Sequence, residues 1–499
     1  MSPRFLSFLV ASGALFLAGW FGLAIADNNY LPMIGFAALV GGVALLALPH
    51  LFGGIAFALY YSNLTAPGIP GLMDLFAVIS AALVVVFLLR TMIQHQFSPP
   101  PRFAAYGLLV ALWLLIVMGV RGAGFRVLGS DTWGGMFYLR LLSGFAFVFA
   151  TAQVRLSPKQ WSRVFNFMML TTFLPVMADV VLIFGFMPTP LFMFLRPSSG
   201  IGFSMMAAQA LEGIVRYLSA GTAGVILCLW IFSRASFDRL FGRAGLVYGP
   251  LLALAFGLAA VSGFRIRILE IVLFIAIAGA LQRGWSFLRV SLILGVAICG
   301  FAALYPVARH LPLPAQRSVA WLPGIDINAS AKQDAQGTLN WRVELWKRAI
   351  EEAPKYLVVG KGYSFLGEES MDAYTFRGLD ELRWAVVSSS YHNGPLSMLL
   401  GLGVPGLIAS MLWIASMVRY AITSLRRPWQ SQIIQLLFLA AATRLLVSVA
   451  IFFTLYGDVQ ASFPELLYLG ALMVALSYSD QALASKQDET EIAVERVPG

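Results

Sequence analysis

Long apolar runs, broken by short polar stretches, cover most of the chain. They fall at 5–26, 30–48, 51–63, 72–89, 103–120, 136–152, 164–186, 213–232, 244–261, 266–281, 287–308, 393–418, 430–455 and 463–478. Crossing about 30 Å of hydrocarbon takes roughly 20 helical residues, so the pattern predicts about 14 membrane segments. The third run is short and reads as a broken or re-entrant helix, which leaves about 12 full spans as an alternative. The fold class expected is therefore an all-α polytopic membrane protein. Arg4 precedes the first run, and Ala24-Ile25-Ala26 resembles a signal-peptidase site. At about 21 residues, however, the run exceeds a signal h-region of roughly 7–15, so it is read as a retained first transmembrane helix.

One polar stretch is long. Residues 309–391 interrupt the apolar pattern and carry a stripe of their own: Leu339, Val343, Trp346 and Ile350 recur at helical spacing. Asn340 is a candidate N-cap, and Pro354 and Gly360 mark the far end. The organisation expected is N-terminal transmembrane helices over 1–212, central transmembrane helices over 213–308, a loop domain over 309–391, C-terminal helices over 392–479 and a cytoplasmic tail over 480–499. The tail is polar, without apolar periodicity, and reads as disordered. No internal repeat is visible.

Charge sets the orientation. Short loops carry Arg234, Arg239 and Arg243, then Arg283 and Arg289, then Arg419, Arg426 and Arg427, with Arg155 and Lys159 on the same side. The positive-inside rule makes that side cytoplasmic. The 309–391 loop is then outside, periplasmic in a Gram-negative cell. The chain is 59% hydrophobic and 12% charged, with a formal net charge of +10. Its mean hydropathy of +0.80 and pI of about 9.7 fit basic loops on a membrane protein rather than nucleic-acid binding. Cys228 and Cys299 both lie in apolar runs, which argues against a disulfide framework. The four histidines lack metal-ligand spacing, so no metal site is expected.

The most specific motif is Tyr391-His392-Asn393-Gly394-Pro395, followed by Gly403-Val404-Pro405-Gly406. It places a titratable group where the long loop meets a membrane helix. His50, His95 and His310 lie at segment edges and read as incidental. Gly401, Gly403 and Gly406 also suit close helix packing. Arginines on the outside face break the positive-inside pattern: Arg265 and Arg267 in Ser262-Gly263-Phe264-Arg265-Ile266-Arg267, Arg216 near a helix end, and Arg342 on the loop helix. An anion held there would explain them, since guanidinium donors match phosphate oxygens in pairs. The plainer reading is structural ion pairing, with Glu270 or Glu212 as partners for Arg265. Lys361 lies between Gly360 and Gly362, whose backbone N–H groups could approach the same anion or simply form a solvated loop. Asp179 and Arg444 are charges inside apolar runs and are expected to pair with each other or line a polar cavity.

These residues resemble the O-antigen ligase and polymerase superfamily. His392-Asn393 with Gly403-x-x-Gly406 looks like the signature of that family. Asn340-Trp341-Arg342, Trp346, Pro354 and Gly360-Lys361-Gly362 resemble the segment that precedes it. Ser262 to Arg267 looks like its outward-facing Ser-Arg turn, here with Gly263 and Phe264 between Ser and Arg, and Arg265 is favoured as the matching arginine. The resemblance runs from about residue 213 to the last helix. It implies a C-type glycosyltransferase fold that moves a glycan from undecaprenyl diphosphate to an acceptor, lipid A-core or glycan, on the periplasmic face of the inner membrane. It implies no cofactor, metal or nucleotide. By position, His392 would act as general base or orient the acceptor hydroxyl. Arg265 and Arg342 would hold the diphosphate and stabilise its leaving charge. Arg216, Arg267, Lys361, Tyr391, Asn393 and Trp346 would contact substrate, and the lipid tail would lie between helices. Attack from the opposite face would invert the anomeric carbon.

The signature does not separate a lipid A-core ligase from a polymerase joining lipid-linked repeats, or from a relative that glycosylates protein. The ligase-like reading is preferred on the long loop before the histidine motif. A transporter or flippase of lipid-linked glycan, built on Asp179, Arg444 and a basic cavity, is the rival of a different class.

Overall fold

The computed structural model describes residues 48–62, 64, 75–94, 98–125, 132–183, 216–366, 374–375, 378–379 and 381–495. The retained first helix at 5–26 and nearly all of the run at 30–48 lie outside the described residues, as does Glu212. What is described is a helical bundle, and the chain is an all-α polytopic membrane protein. Among the described residues, six helices are long and apolar enough to cross a membrane, and four shorter apolar helices accompany them.

In chain order the helices are α1 (Pro49–Leu59), α2 (Leu75–Gln94), α3 (Arg102–Arg121), α4 (Gly135–Thr151), α5 (Pro158–Thr172), α6 (Leu174–Ile183), α7 (Leu218–Phe232), α8 (Gly245–Val261), α9 (Arg265–Leu281), α10 (Phe287–Val307), α11 (Leu313–Val319), α12 (Ala329–Glu352), α13 (Glu381–Val387), α14 (Gly394–Leu425), α15 (Gln432–Thr454) and α16 (Val459–Glu495). α15 and α16 form the centre, where Ala440, Ala441 and Ala442 on one helix and the run from Ala471 to Leu476 on the other are buried. Small side chains let these backbones approach closely. α14 packs along α3, α7 along α8, and α9 against α15. α10 stands apart, with Phe287, Leu288, Val296 and Ile298 exposed as suits a lipid-facing helix.

Two devices fix the loop domain to this bundle. The first is a break in α14. Gly403 has φ 71° and ψ −179°, a conformation that a residue with a Cβ adopts only under strain, and Pro405 has no N–H to continue the ladder. The carbonyls freed by the break find other donors. Lys361 N–H donates to Leu400 O at 2.6 Å, Gly362 N–H to Gly401 O at 3.1 Å, and Trp113 Nε1 to Leu402 O at 2.5 Å. The Val404 N–H donates back to Leu357 O at 2.7 Å. The backbone groups of Lys361 and Gly362 are thus occupied by helix carbonyls instead of reaching toward an anion. The second device is a stitch to α3 and α4. Arg121 donates to the Gly360 and Val359 carbonyls, and Tyr363 N–H donates to Tyr138 Oη. A two-residue strand, β1 (Thr132–Trp133), pairs antiparallel with β2 (Phe365–Leu366).

Three expectations from sequence need correction. The loop helix begins at Ala329, with Asn328 as N-cap accepting from Ser330 N–H at 3.0 Å, about three turns before Asn340. The residues after Ser479 continue α16 to Glu495 instead of being irregular, and Asp480 receives the N–H groups of Gln430 and Ser431 ahead of α15. Ala, Lys, Gln and Glu are good helix formers, so polarity alone does not end a helix. Arg444 does not pair with Asp179. Its guanidinium meets Glu270 at 2.9 Å and Glu465 at 2.7 Å, while Asp179 accepts from Ser219 Oγ.

Candidate active site

The histidine motif lies at the turn from α13 into α14, and a second turn, 455–458 between α15 and α16, packs against it. Asn393 is the N-cap of α14, its side-chain oxygen accepting from Leu396 N–H at 3.1 Å. Gly394 sits so close to the end of α15 that a Cβ would collide with Phe452 O. The turn is backbone-strained: Ser389 and His392 have φ of 57° and 51°. Such values are uncommon for residues other than glycine and persist only where surrounding contacts enforce them.

Asp458 supplies that enforcement. Its carboxylate is 3% exposed. It accepts from Ser390 Oγ at 2.8 Å, from the backbone N–H of His392 at 2.8 Å and from Ser397 Oγ at 2.9 Å. The imidazole Nδ1 of His392 stands 2.8 Å from Asp458 Oδ2. That approach lies off the line of a well-aligned hydrogen bond, so it is best described as a close polar contact. The ring is stacked on Tyr456, with centroids 4.5 Å apart, and Trp341 lies tilted at 5.4 Å. With Nδ1 turned to a carboxylate, Nε2 is the nitrogen left to exchange a proton.

Arginines converge from separate elements. Arg342, on α12, lies over the Tyr456 ring at 5.5 Å. Among the described residues it has no carboxylate within ion-pair distance, and its Nε is buried without a partner. Arg216 precedes α7, and the Tyr217 N–H donates to Ser262 O at 2.9 Å, which brings it beside the turn that launches α9. Arg265 and Arg267 occupy the first turn of α9. Arg265 donates to Ala335 O on α12 at 2.9 Å. Asp334 bridges Arg216, at 2.8 Å, and Arg317, which also donates to Gly263 O.

The electrostatics are lopsided. Burial and the neighbouring Arg216 and Arg265 charges push Arg317 down to about 10, against the pull of Asp334. Burial lowers Arg342 as well, reinforced by Arg265 and Arg216 and opposed by Tyr456 and Asp458. Burial would raise the Asp334 carboxyl, but Arg317 and Arg216 hold it below the usual range. Burial and Asp458 push the Tyr456 phenol up to about 12, against Arg342 and Arg267. Guanidiniums that depress one another form a site of excess positive charge, suited to an anion.

The structure therefore gathers His392, Arg342, Arg265 and Arg216 in one charged neighbourhood. Arg267 adjoins it but pairs with Glu270 at 2.9 Å, so the structural pairing anticipated for Arg265 belongs to Arg267. Lys361 Nζ donates to Val386 O at 2.7 Å, at the end of α13. Tyr391 is fully buried among Leu345, Ala349, Ala385 and Leu400, and Trp346 Nε1 donates to its carbonyl at 2.9 Å, so both shape the turn from within. Asp458, Tyr456, Arg317 and Asp334 were missed from sequence. Asp458 is 66 residues from His392 and carries no local motif. A lone acid between two apolar runs, on the side of the histidine motif, was the available signal.

Residues 201–411 match a family model described as O-Antigen ligase. The matched stretch contains Arg216, the Ser262–Arg267 turn, Arg342 and the histidine motif through Gly406, and stops short of Asp458. No curated protein matches the chain. The match supports the O-antigen ligase superfamily, and with it a ligase or polymerase class of activity on lipid-linked glycan.

Proposed function

We propose that this membrane protein, similar over its matched stretch to O-antigen ligases, transfers a glycan from undecaprenyl diphosphate to an acceptor hydroxyl on the periplasmic side of the inner membrane, in the manner of a ligase. The observation that carries the reading is Arg342: half-buried, without a counter-ion among the described residues, its Nε unpartnered, and within the same aromatic cluster as His392. Buried donors in folded proteins are nearly always satisfied, so an unsatisfied one in a cationic site points to a ligand oxygen.

The geometry supports an inverting displacement at the anomeric carbon. The acceptor O–H loses its proton to His392 Nε2 as its oxygen attacks the anomeric carbon from the face opposite the phosphate. The C–O bond to phosphate breaks, and the diphosphate leaves with the electron pair. Arg342 and Arg265 meet that developing charge, with Arg216 behind them. Asp458 faces the imidazolium that forms and stabilises it. The energy of the sugar–diphosphate bond drives the step. A polymerase would use the same groups with a different acceptor. The transporter reading loses its main ground, because Arg444 is neutralised by Glu270 and Glu465.

The test is a gel of surface polysaccharide from a deletion strain complemented with wild type or His392→Ala. Loss of the lipid A-linked ladder, with polymer persisting on the lipid carrier, is the expected ligase result. A single repeat in place of a ladder would identify a polymerase. Restoration of the wild-type pattern by His392→Ala would overturn the catalytic assignment.

A further inference from the structure

Arg267 stands where the cationic site meets a buried ion network, and each of its ends is treated differently. Nη1 is held between both oxygens of Glu270, at 2.9 Å each. Nε is buried and has no partner among the described residues. Glu270 in turn accepts from Arg444 Nη1 at 2.9 Å. Arg444 is anchored again by Glu465, Nε to Oε1 at 2.9 Å, and Glu465 accepts from Tyr61 Oη at 3.2 Å. The participants come from α9, α15, α16 and the short turn after α1. Even the stem of Arg267 is seated: a Cβ on Gly221 of α7 would fall 2.6 Å from its Cγ.

Stability does not account for this arrangement. Ionised groups in a membrane interior are costly, and a buried ion network is often no more stable than well-packed apolar side chains. What the network supplies is fixed geometry. Two cations and two carboxylates sum to zero charge, and Glu270 and Arg444 are 5% and 3% exposed. Arg267 is the member that borders the site, close enough for its charge to act on Tyr456, whose ring stacks on His392.

We propose that Glu270, held in place by Arg444, is a positioning residue that fixes one edge of the Arg267 guanidinium so that its Nε donor is presented to a phosphate oxygen of the lipid-diphosphate donor. This rests on the glycosyl-transfer reading above. Arg267 is thereby a rigid donor, in contrast to Arg342, which among the described residues rests on the Tyr456 ring with no carboxylate to hold it. A guanidinium locked on one side loses less freedom when the phosphate arrives, which favours donor binding.

Steady-state kinetics on the full chain in lipid nanodiscs test this, with Glu270→Gln, Arg267→Ala and the double variant. Each single substitution is expected to raise the donor KM about tenfold, equivalent to about 1.4 kcal/mol, and to leave the acceptor KM unchanged. The double variant should be no worse than Arg267→Ala, because Glu270 acts through Arg267. An unchanged donor KM in Glu270→Gln, or losses that multiply in the double variant, overturns the proposal. Glu270→Asp keeps the charge and draws the carboxylate back by one methylene. It should insert normally and raise the donor KM about threefold, roughly 0.6 kcal/mol. If Glu270→Gln does not insert, an unchanged donor KM in Glu270→Asp overturns the proposal.

A second readout needs no turnover. Inorganic pyrophosphate should raise the melting temperature of the wild type and raise that of Glu270→Gln and Arg267→Ala less. An equal rise in all three also overturns the proposal. No turnover in the wild type would sink the glycosyl-transfer reading itself, and turnover that survives in His392→Ala and Arg342→Ala would sink the catalytic assignment. Loss of turnover there, with normal donor KM in Glu270→Gln, sinks only the positioning role.

Discussion

Asp458 grips His392 at two points: the backbone N–H donates to Oδ1 at 2.8 Å, and the imidazole Nδ1 stands 2.8 Å from Oδ2. One carboxylate thus holds both the strained backbone and the ring. Asp458→Asn keeps the shape and removes the charge that would steady an imidazolium. Turnover is expected to fall about 100-fold with little loss of protein from the membrane. Asp458→Ala also strands the donors of Ser390 and His392, at about 1–3 kcal/mol for each that stays buried, while Ser397 keeps the Gly457 carbonyl as acceptor. Its melting temperature should fall well below that of Asp458→Asn, which thermal denaturation in detergent measures.

Arg342 should distinguish charge from hydrogen-bond geometry. Arg342→Lys keeps the cation and loses the planar fork, so donor KM is expected to rise about tenfold; Arg342→Ala should lower kcat/KM by about 100-fold. Kinetics on both variants check this: wild-type activity in Arg342→Lys would show that the fork has no role, and equal loss in the two variants that the charge alone has none.

Gly403 is required by backbone conformation as well as space. Gly403→Ala forces a Cβ onto a residue with φ 71° and brings it to 2.8 Å from Val358 O. With ψ at −179° this is a region essentially confined to glycine, and the conformational cost alone is about 1–3 kcal/mol. Gly257, in α8, has nothing within 4 Å of such a Cβ. Gly257→Ala should be neutral or slightly stabilising, as helix propensity favours Ala. Parallel thermal melts compare the two.

The loop helix should show an acid transition set by Asp334. Its folded carboxyl lies below the ordinary range, so the unfolded chain binds its proton first as pH falls. The stabilisation is fully present above the unfolded value of about 3.9 and is lost as pH drops through the lower folded value. Docking of α12 should therefore persist at pH 5. Asp334→Asn should loosen it at neutral pH, seen as faster hydrogen exchange over residues 329–345.

Apolar periodicity located the described helices well because a bilayer demands long apolar runs and nothing in the sequence contradicts them. The histidine motif was legible for a similar reason: it is local, contiguous and placed at a helix start. The early start of α12 was not. Residues 329–338 have no apolar stripe, and their helix is held by Asp334 reaching Arg216 and Arg317, contacts that no local pattern encodes. Pairing inside the bundle was equally opaque. Arg444 chose two glutamates on different helices over Asp179, a choice set by helix packing and invisible to composition.

The exchange of hydrogen bonds at Gly403 has a consequence for how substrates arrive. Three carbonyls of α14 depend on Lys361, Gly362 and Trp113 for their donors. Swinging the 357–362 segment aside would leave two of these buried carbonyls without a donor, at a cost of about 1–3 kcal/mol each. That segment is therefore part of the wall and not a door. On the proposed reading, a lipid-borne sugar would have to reach the site by a path that leaves this segment in place.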